Sequence, residues 1–276
     1  MPEGDTLFRI AARLQPVLTG RCIVRAESQD CRLSTQSLQG HCVTAIEPRG
    51  KHLLIHVDNG LTLHTHLGMT GAWHVYALGE PWQKPRHRAA VTLFTDEAVC
   101  VCFSPKTLEL LSADGLRRHA HLQHLGPDVL APAFDAREAL RRLSLHHTLP
   151  IGEALMDQTI LCGVGNIYKS EILFHCRLYP WCPVTSLTTN ELDAVLAAAR
   201  KLMRANLATQ TRRTRFRADG SRFWVYGRSG QPCFVCGQVI GMRHQGTLGR
   251  STYWCPSCQM NPAAGPRTVV GEPTEL

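Results

Sequence analysis

Two cysteine pairs constrain this chain more than any other feature: Cys233-Phe-Val-Cys236 and, eighteen residues later, Cys255-Pro-Ser-Cys258. Each pair supplies two thiolates from one tight turn, and two such knuckles at this separation fit a tetrahedral zinc site. Four thiolates leave no open coordination position, so one structural zinc ion on Cys233, Cys236, Cys255 and Cys258 is expected. The other eight cysteines (Cys22, Cys31, Cys42, Cys100, Cys102, Cys162, Cys176 and Cys182) lack such spacing and read as ordinary buried thiols.

Twelve cysteines would suggest disulfides in a small secreted protein, but the start, MPEGDTLFRIAARL, has acids where a signal peptide needs basic residues and lacks an apolar core. A reduced chain in a bacterial-type cytoplasm is therefore expected. No run of about 18 apolar residues occurs, which excludes a transmembrane helix, and no membrane partner is expected. The 276 residues, 44% hydrophobic and 19% charged, can bury a real core and leave room for two domains. A formal charge of +8 favours polyanions, and charge alone does not choose between nucleic acid and an anionic membrane surface.

Leu7, Ile10, Ala11, Leu14 and Leu18 recur at helical spacing behind the possible caps Asp5 and Thr6, with Pro16 and Gly20 ending the pattern. Short β-rich runs follow to about residue 103: CIVRAES, CVTAIEP, HLLIHV, LTLHTH, AWHVY, AAVTLFT and AVCVCF. Asp58-Asn59-Gly60 joins two of them as a hairpin, and so many short strands imply a β-sandwich or barrel. HLGPDVLAPAF, rich in Gly and Pro, predicts a linker over 124–134. Beyond it the pattern is helical. Asp135 with Glu138, and Thr188 with Glu191, are capping signatures, and Leu192, Val195, Leu196, Ala199, Leu202 and Met203 share one core-facing stripe.

Three weaker constellations carry chemistry. Gly163-Val-Gly165-Asn166 opens a helix, where free amides favour phosphate, although a plain helix-joining turn has the same form. Arg243 and Arg250, between the knuckles, could meet phosphates, and a solvated charged turn would look the same. If Met1 is removed, Pro2 offers a secondary α-amine, partly neutral near pH 8, able to form an iminium with an aldehydic sugar carbon.

Together, MPEG at the start, GKHLL at 50–54, HLGMTG at 66–71, HLGP at 124–127, GVGNIYKSEIL at 163–173, WVYGRSGQPC at 224–233 and TYWCPSCQ at 252–259 resemble the formamidopyrimidine-DNA glycosylase and endonuclease VIII family. The resemblance runs from residue 2 to about 260. It implies an α+β multidomain chain: an N-terminal catalytic β-sandwich preceded by a helix (1–123), a helix-two-turn-helix domain (135–225), a zinc finger (226–262) and a loose tail (263–276).

By the same resemblance, Pro2 attacks C1′ of a damaged nucleotide and Glu3 serves as general acid and base, a neutral amine beside a proton-shuttling carboxyl. Lys51, Asn166 and Arg250 match family phosphate contacts. Met69 matches a residue that fills the void left by a flipped base. Lys106 and Leu108 stand where the family has Arg and Phe, and Lys is the poorer stacking group.

Asp5-Thr6 replaces the family's usual Pro-Glu, and the segment Asn206–Gly220 is short. Both features are similar to endonuclease VIII type enzymes acting on oxidised pyrimidines. The resemblance implies a monomeric base excision repair enzyme, a DNA glycosylase and abasic-site lyase acting on damaged duplex or single-stranded DNA, and cutting by β- and δ-elimination. A purine-directed formamidopyrimidine or 8-oxoguanine glycosylase is the alternative within the family, and a non-catalytic damaged-DNA-binding relative is the alternative outside catalysis.

Overall fold

The computed structural model describes residues 2–30, 33–209, 211–217 and 219–261. The expected loose tail and Cys31 lie outside them. The chain divides into two compact units, 1–124 and 125–276.

The first unit opens with α1 (Gly4–Leu18), which begins one residue earlier than Asp5 or Thr6 would set as cap, because Glu3 takes the N-cap in a reciprocal capping box with Thr6. Pro16 lies within its last turn, and Leu7, Ile10, Ala11, Leu14 and Leu18 are buried as the spacing requires. The strands are β1 (Arg25–Ser28), β2 (Val43–Arg49), β3 (His52–Val57), β4 (Thr62–His66), β5 (Ala72–Ala77), β6 (Ala89–Phe94), β7 (Ala98–Phe103) and β8 (Thr107–Leu111). They form two antiparallel sheets of four, ordered β1-β6-β7-β5 and β2-β3-β4-β8. One apolar core takes side chains from α1 and both sheets, including Leu14, Ile23, Leu53, Leu63, Trp73 and Val91. The sequence reading omitted β8, whose alternation is weak: all five of its residues are half-buried. Two short helices, α2 (Ala113–Arg117) and α3 (Ala120–Gln123), end the unit.

The second unit contains α4 (Ala136–Leu145), α5 (Ile151–Ala154), α6 (Asn166–His175) and α7 (Thr189–Arg204), then the hairpin β9 (Gly241–Gln245) and β10 (Arg250–Trp254). Both predicted caps form: the Asp135 side chain accepts from Glu138 N, and Thr188 and Glu191 cap each other reciprocally. The stretch expected as a linker is instead folded into this unit. Gly126 N–H donates to Gln158 O at 2.8 Å, and residues 127–129 bond on both sides of Cys162. Gly and Pro here serve close packing: a Cβ on Gly126 would stand 2.4 Å from Ile160 O.

The reading of all eight remaining cysteines as buried thiols needs correction. Cys22 and Cys42 are joined by a disulfide, and Cys22 is exposed. An isolated antiparallel bridge sets these two residues side by side, a proximity that their 20-residue separation does not reveal. Cys100, Cys102, Cys162 and Cys182 are buried and Cys176 half-buried. Burial pushes the Cys100 and Cys176 thiols up to about 12, which leaves them inert.

Candidate active site and nucleic-acid interface

In the first unit the N-terminus runs directly into α1. Pro2 is half-exposed, while Glu3 is fully buried at the N-cap, its N–H reaching Thr6 Oγ1 at 3.5 Å. Helix-terminal amides and the positive end of the dipole favour a carboxylate at this position, so Glu3 is both anchored and set beside the proline. Asp5, also fully buried, accepts from the Thr6 hydroxyl and pairs with Arg9, both at 3.4 Å.

Lys51 occupies the second position of the two-residue turn between β2 and β3. Arg49 and His52 pair across that turn, and Gly50 supplies the positive φ of 58° that it demands. Met69 sits in the β4–β5 turn and is 65% exposed, a high value for a large apolar side chain. Lys106 lies on the neighbouring β7–β8 connection, where its N–H donates to His66 O at 2.8 Å. The two turns touch at Gly68: a Cβ there would stand 2.8 Å from Lys106 Cβ. Burial, then the positive charges of Lys106 and Lys51, push His66 down to about 4, so a neutral imidazole stands near both lysines. Lys51, Met69 and Lys106, scattered over 56 positions of sequence, thus lie on connections at the end of the β2-β3-β4-β8 sheet where His52, His66 and Thr107 pair. Leu108 differs. It lies on β8 opposite Thr65, half-buried against the core.

In the second unit α6 is buried on every face from Asn166 to Phe174. A helix so enclosed must find partners for its polar side chains, since an unpaired buried charge is costly. Asn166, at its first turn, donates from Nδ2 to Ser251 O at 2.8 Å. Lys169 Nζ donates to Thr252 Oγ1 at 2.6 Å. The helix start and the hairpin carrying Arg250 are therefore fastened together, although they are more than 80 residues apart. Arg250 is half-buried, and its Nε has no hydrogen-bond partner among the described residues. Its neighbour Ser251 is held by Asn166, which directly follows the Gly163-Val-Gly165 turn, in which Gly163 has φ 101°.

Glu171, which sequence reasoning missed, is the anchor of the loop leading to the first knuckle. Its carboxylate accepts the N–H groups of Trp224, Val225 and Tyr226 at 2.8–2.9 Å and the Thr214 hydroxyl. The only sequence signal was its place inside GVGNIYKSEIL. The four sulfurs of Cys233, Cys236, Cys255 and Cys258 lie within 4.8 Å of one another, and three of their separations are 3.4–3.9 Å. Thiolates about 2.3 Å from a tetrahedral ion stand about 3.8 Å apart, so the cluster fits a single metal. Cys236 is exposed and the other three are buried.

Family models match both units: the formamidopyrimidine-DNA glycosylase N-terminal domain over residues 1–108 and the H2TH domain of the same enzymes over 125–218. The chain is 40% identical over 274 residues to a protein of Streptomyces coelicolor named probable endonuclease 8 2, covering 98% of each. It belongs to the formamidopyrimidine-DNA glycosylase family. Within this family it is also 36% identical to the Mycolicibacterium smegmatis DNA-(apurinic or apyrimidinic site) lyase Nei2, covering 94% of this chain and 99% of that one. The crystal structure of the MutM (Fpg) protein from Thermus thermophilus superimposes with a TM-score of 0.78 at 30% identity, covering 96% of this chain and all of the other. Among the described residues, no helix is long and apolar enough to cross a membrane.

Proposed function

We infer that the chain is a bifunctional DNA glycosylase and abasic-site lyase of base excision repair. The observation that carries this is the Pro2-Glu3 pair, a half-exposed proline that becomes the terminal amine once Met1 is removed, beside a fully buried carboxyl at the start of α1, in a chain of this family. A protein that only bound DNA would need neither residue.

In this reading the neutral Pro2 nitrogen attacks C1′ of the damaged nucleotide. Glu3 protonates the sugar ring oxygen as it opens, and the base departs with its glycosidic electron pair. The C1′ iminium acidifies the C2′ hydrogens. Loss of one expels the 3′ phosphate (β-elimination), and a second elimination releases the 5′ phosphate. Hydrolysis of the imine then restores Pro2. Lys51, Asn166 and Arg250 hold backbone phosphates, and Met69, with Lys106 and Leu108, occupies the space vacated by the flipped nucleotide. Met69 and Lys106 are exposed, whereas Leu108 is half-buried. Cys233, Cys236, Cys255 and Cys258 hold a zinc ion, which supplies folding energy to the finger.

Oxidised pyrimidines are the favoured substrates. The segment 206–220 is short and pinned: Asn206 Nδ2 donates to Arg213 O at 2.7 Å, and Thr214 and Arg215 N–H both donate to Arg222 O. It leaves little chain to cover a purine. The names of the endonuclease 8 relatives point the same way. Excision of thymine glycol well ahead of 8-oxoguanine opposite cytosine supports this preference, and the reverse order assigns a purine-directed enzyme.

The decisive experiment is borohydride trapping of the untagged protein on an oligonucleotide bearing one abasic site. A covalent adduct should form, and should vanish when a tag extends the N-terminus beyond Pro2. Binding without an adduct would leave a non-catalytic DNA-binding protein.

A further inference from the structure

Besides the four cysteines, one other group of metal-capable side chains converges among the described residues: His64 on β4, Glu109 on β8 and His119 at the N-cap of α3. All three ligand atoms lie within 4.8 Å of one another. His64 Nδ1 is 2.8 Å and His119 Nε2 3.1 Å from the same oxygen, Glu109 Oε2. Donors bound at about 2.0–2.1 Å to one ion stand roughly 2.9–3.4 Å from each other, so the two separations that meet at Glu109 Oε2 already lie within a few tenths of an ångström of that range.

The surroundings also suit an ion. His64 is 1% exposed and its ring is held from behind, its Nε2 lying 2.9 Å from His52 Nδ1. A ligating imidazole generally has its other nitrogen fixed in this way. The Glu109 side chain is 40% exposed, so the remaining coordination positions face water. We propose that His64, Glu109 and His119 form a second metal site, open to solvent, for a borderline divalent transition cation of the zinc class, the choice that two imidazoles and one carboxylate favour.

Proton bookkeeping is simple. In the metal-free arrangement His64 and His119 both donate N–H to Glu109, and His119 Nδ1 accepts from Leu122 N at 3.3 Å. On binding, each imidazole keeps its single proton and moves it to the other nitrogen, and His52, whose Nδ1–H donates to His64 Nε2 in the metal-free arrangement, likewise shifts its proton from Nδ1 to Nε2. His64 then donates from Nε2 to His52, and His119 gives up its long bond to Leu122. The ion bridges β4 and β8, the strands that lead to the turns of Met69 and Lys106. It would therefore brace the stem of both turns without touching the reacting atoms.

The test is metal counting on the full-length protein, equilibrated with micromolar free zinc and desalted. The wild type should retain two zinc ions per chain. Glu109→Gln, which keeps the shape, and His119→Asn, which keeps a good helix cap, should each retain one. Cys236→Ser should also fall by one equivalent, and combining it with Glu109→Gln should abolish binding. Zinc beyond the first equivalent should raise the melting temperature of the wild type and not of Glu109→Gln. A wild type that holds one ion, or a Glu109→Gln protein that holds two, overturns the proposal and leaves the three side chains as a hydrogen-bonded triad.

Discussion

Glu171 shows how much one side chain can determine when it is enclosed. Each of its oxygens accepts two donors, one from Val225 and Tyr226, the other from Trp224 and Thr214. Burial raises its pKa while these four bonds lower it, and burial dominates. Glu171→Gln preserves shape but must aim an amide NH2 at one pair of donors. The expected cost is about 2–3 kcal/mol, since buried donors are left unsatisfied. Urea unfolding followed by tryptophan fluorescence should show it, and a loss within error of zero would mean the pocket admits water. This residue was legible in the sequence only as a letter in a motif, because its partners lie more than 40 positions away. The four cysteines were legible because local spacing alone brings their sulfurs together, whereas Pro2 stood out by chain position and the role of Glu3 came only from the family resemblance. Leu108 marks the opposite limit. Aligning it with a motif gave it a role, but not the half-buried strand position that it occupies.

At the scale of elements, local signals that satisfy backbone groups were the most readable. The capping box at Thr188 and Glu191 forms as its spacing predicts, and it starts a helix of 16 residues whose apolar stripe is buried. Thr188→Ala should destabilise the protein by about 1 kcal/mol, seen as an earlier urea midpoint with unchanged slope; no shift would mean that Glu191 alone caps the helix. The strand β8 and the packed stretch after His124 were misread for a common reason. Their conformations are imposed by neighbours: pairing with β4 in one case, bonds to the chain around Gln158 and Cys162 in the other. The disulfide between Cys22 and Cys42 belongs with them, since an isolated backbone bridge between distant residues sets the two cysteines side by side.

For the whole molecule, the net charge of +8 supplies a general attraction to DNA, and the finger supplies part of its aim. Cys236→Ser should lose the finger's metal and weaken DNA binding at least tenfold at moderate salt, while the helical circular dichroism signal changes little. Fluorescence anisotropy on abasic duplex would measure the first effect and far-ultraviolet spectroscopy the second. Collapse of the helical signal would mean that the metal supports the whole second unit. The expectation of surviving helices rests on α7, which has its own capping box and a buried apolar stripe.

The bonds from α6 to the finger have one more consequence. Asn166 and Lys169 hold the hairpin, and Glu171 holds the chain just ahead of the first knuckle. A protein stripped of its ion would keep the finger tethered at both places, like a door unlatched but still on its hinges. The thiols would stay close to their partners, so the search for a new ion would be short. Damage by a passing chelator would then be repaired by refilling, with no need to make the protein again.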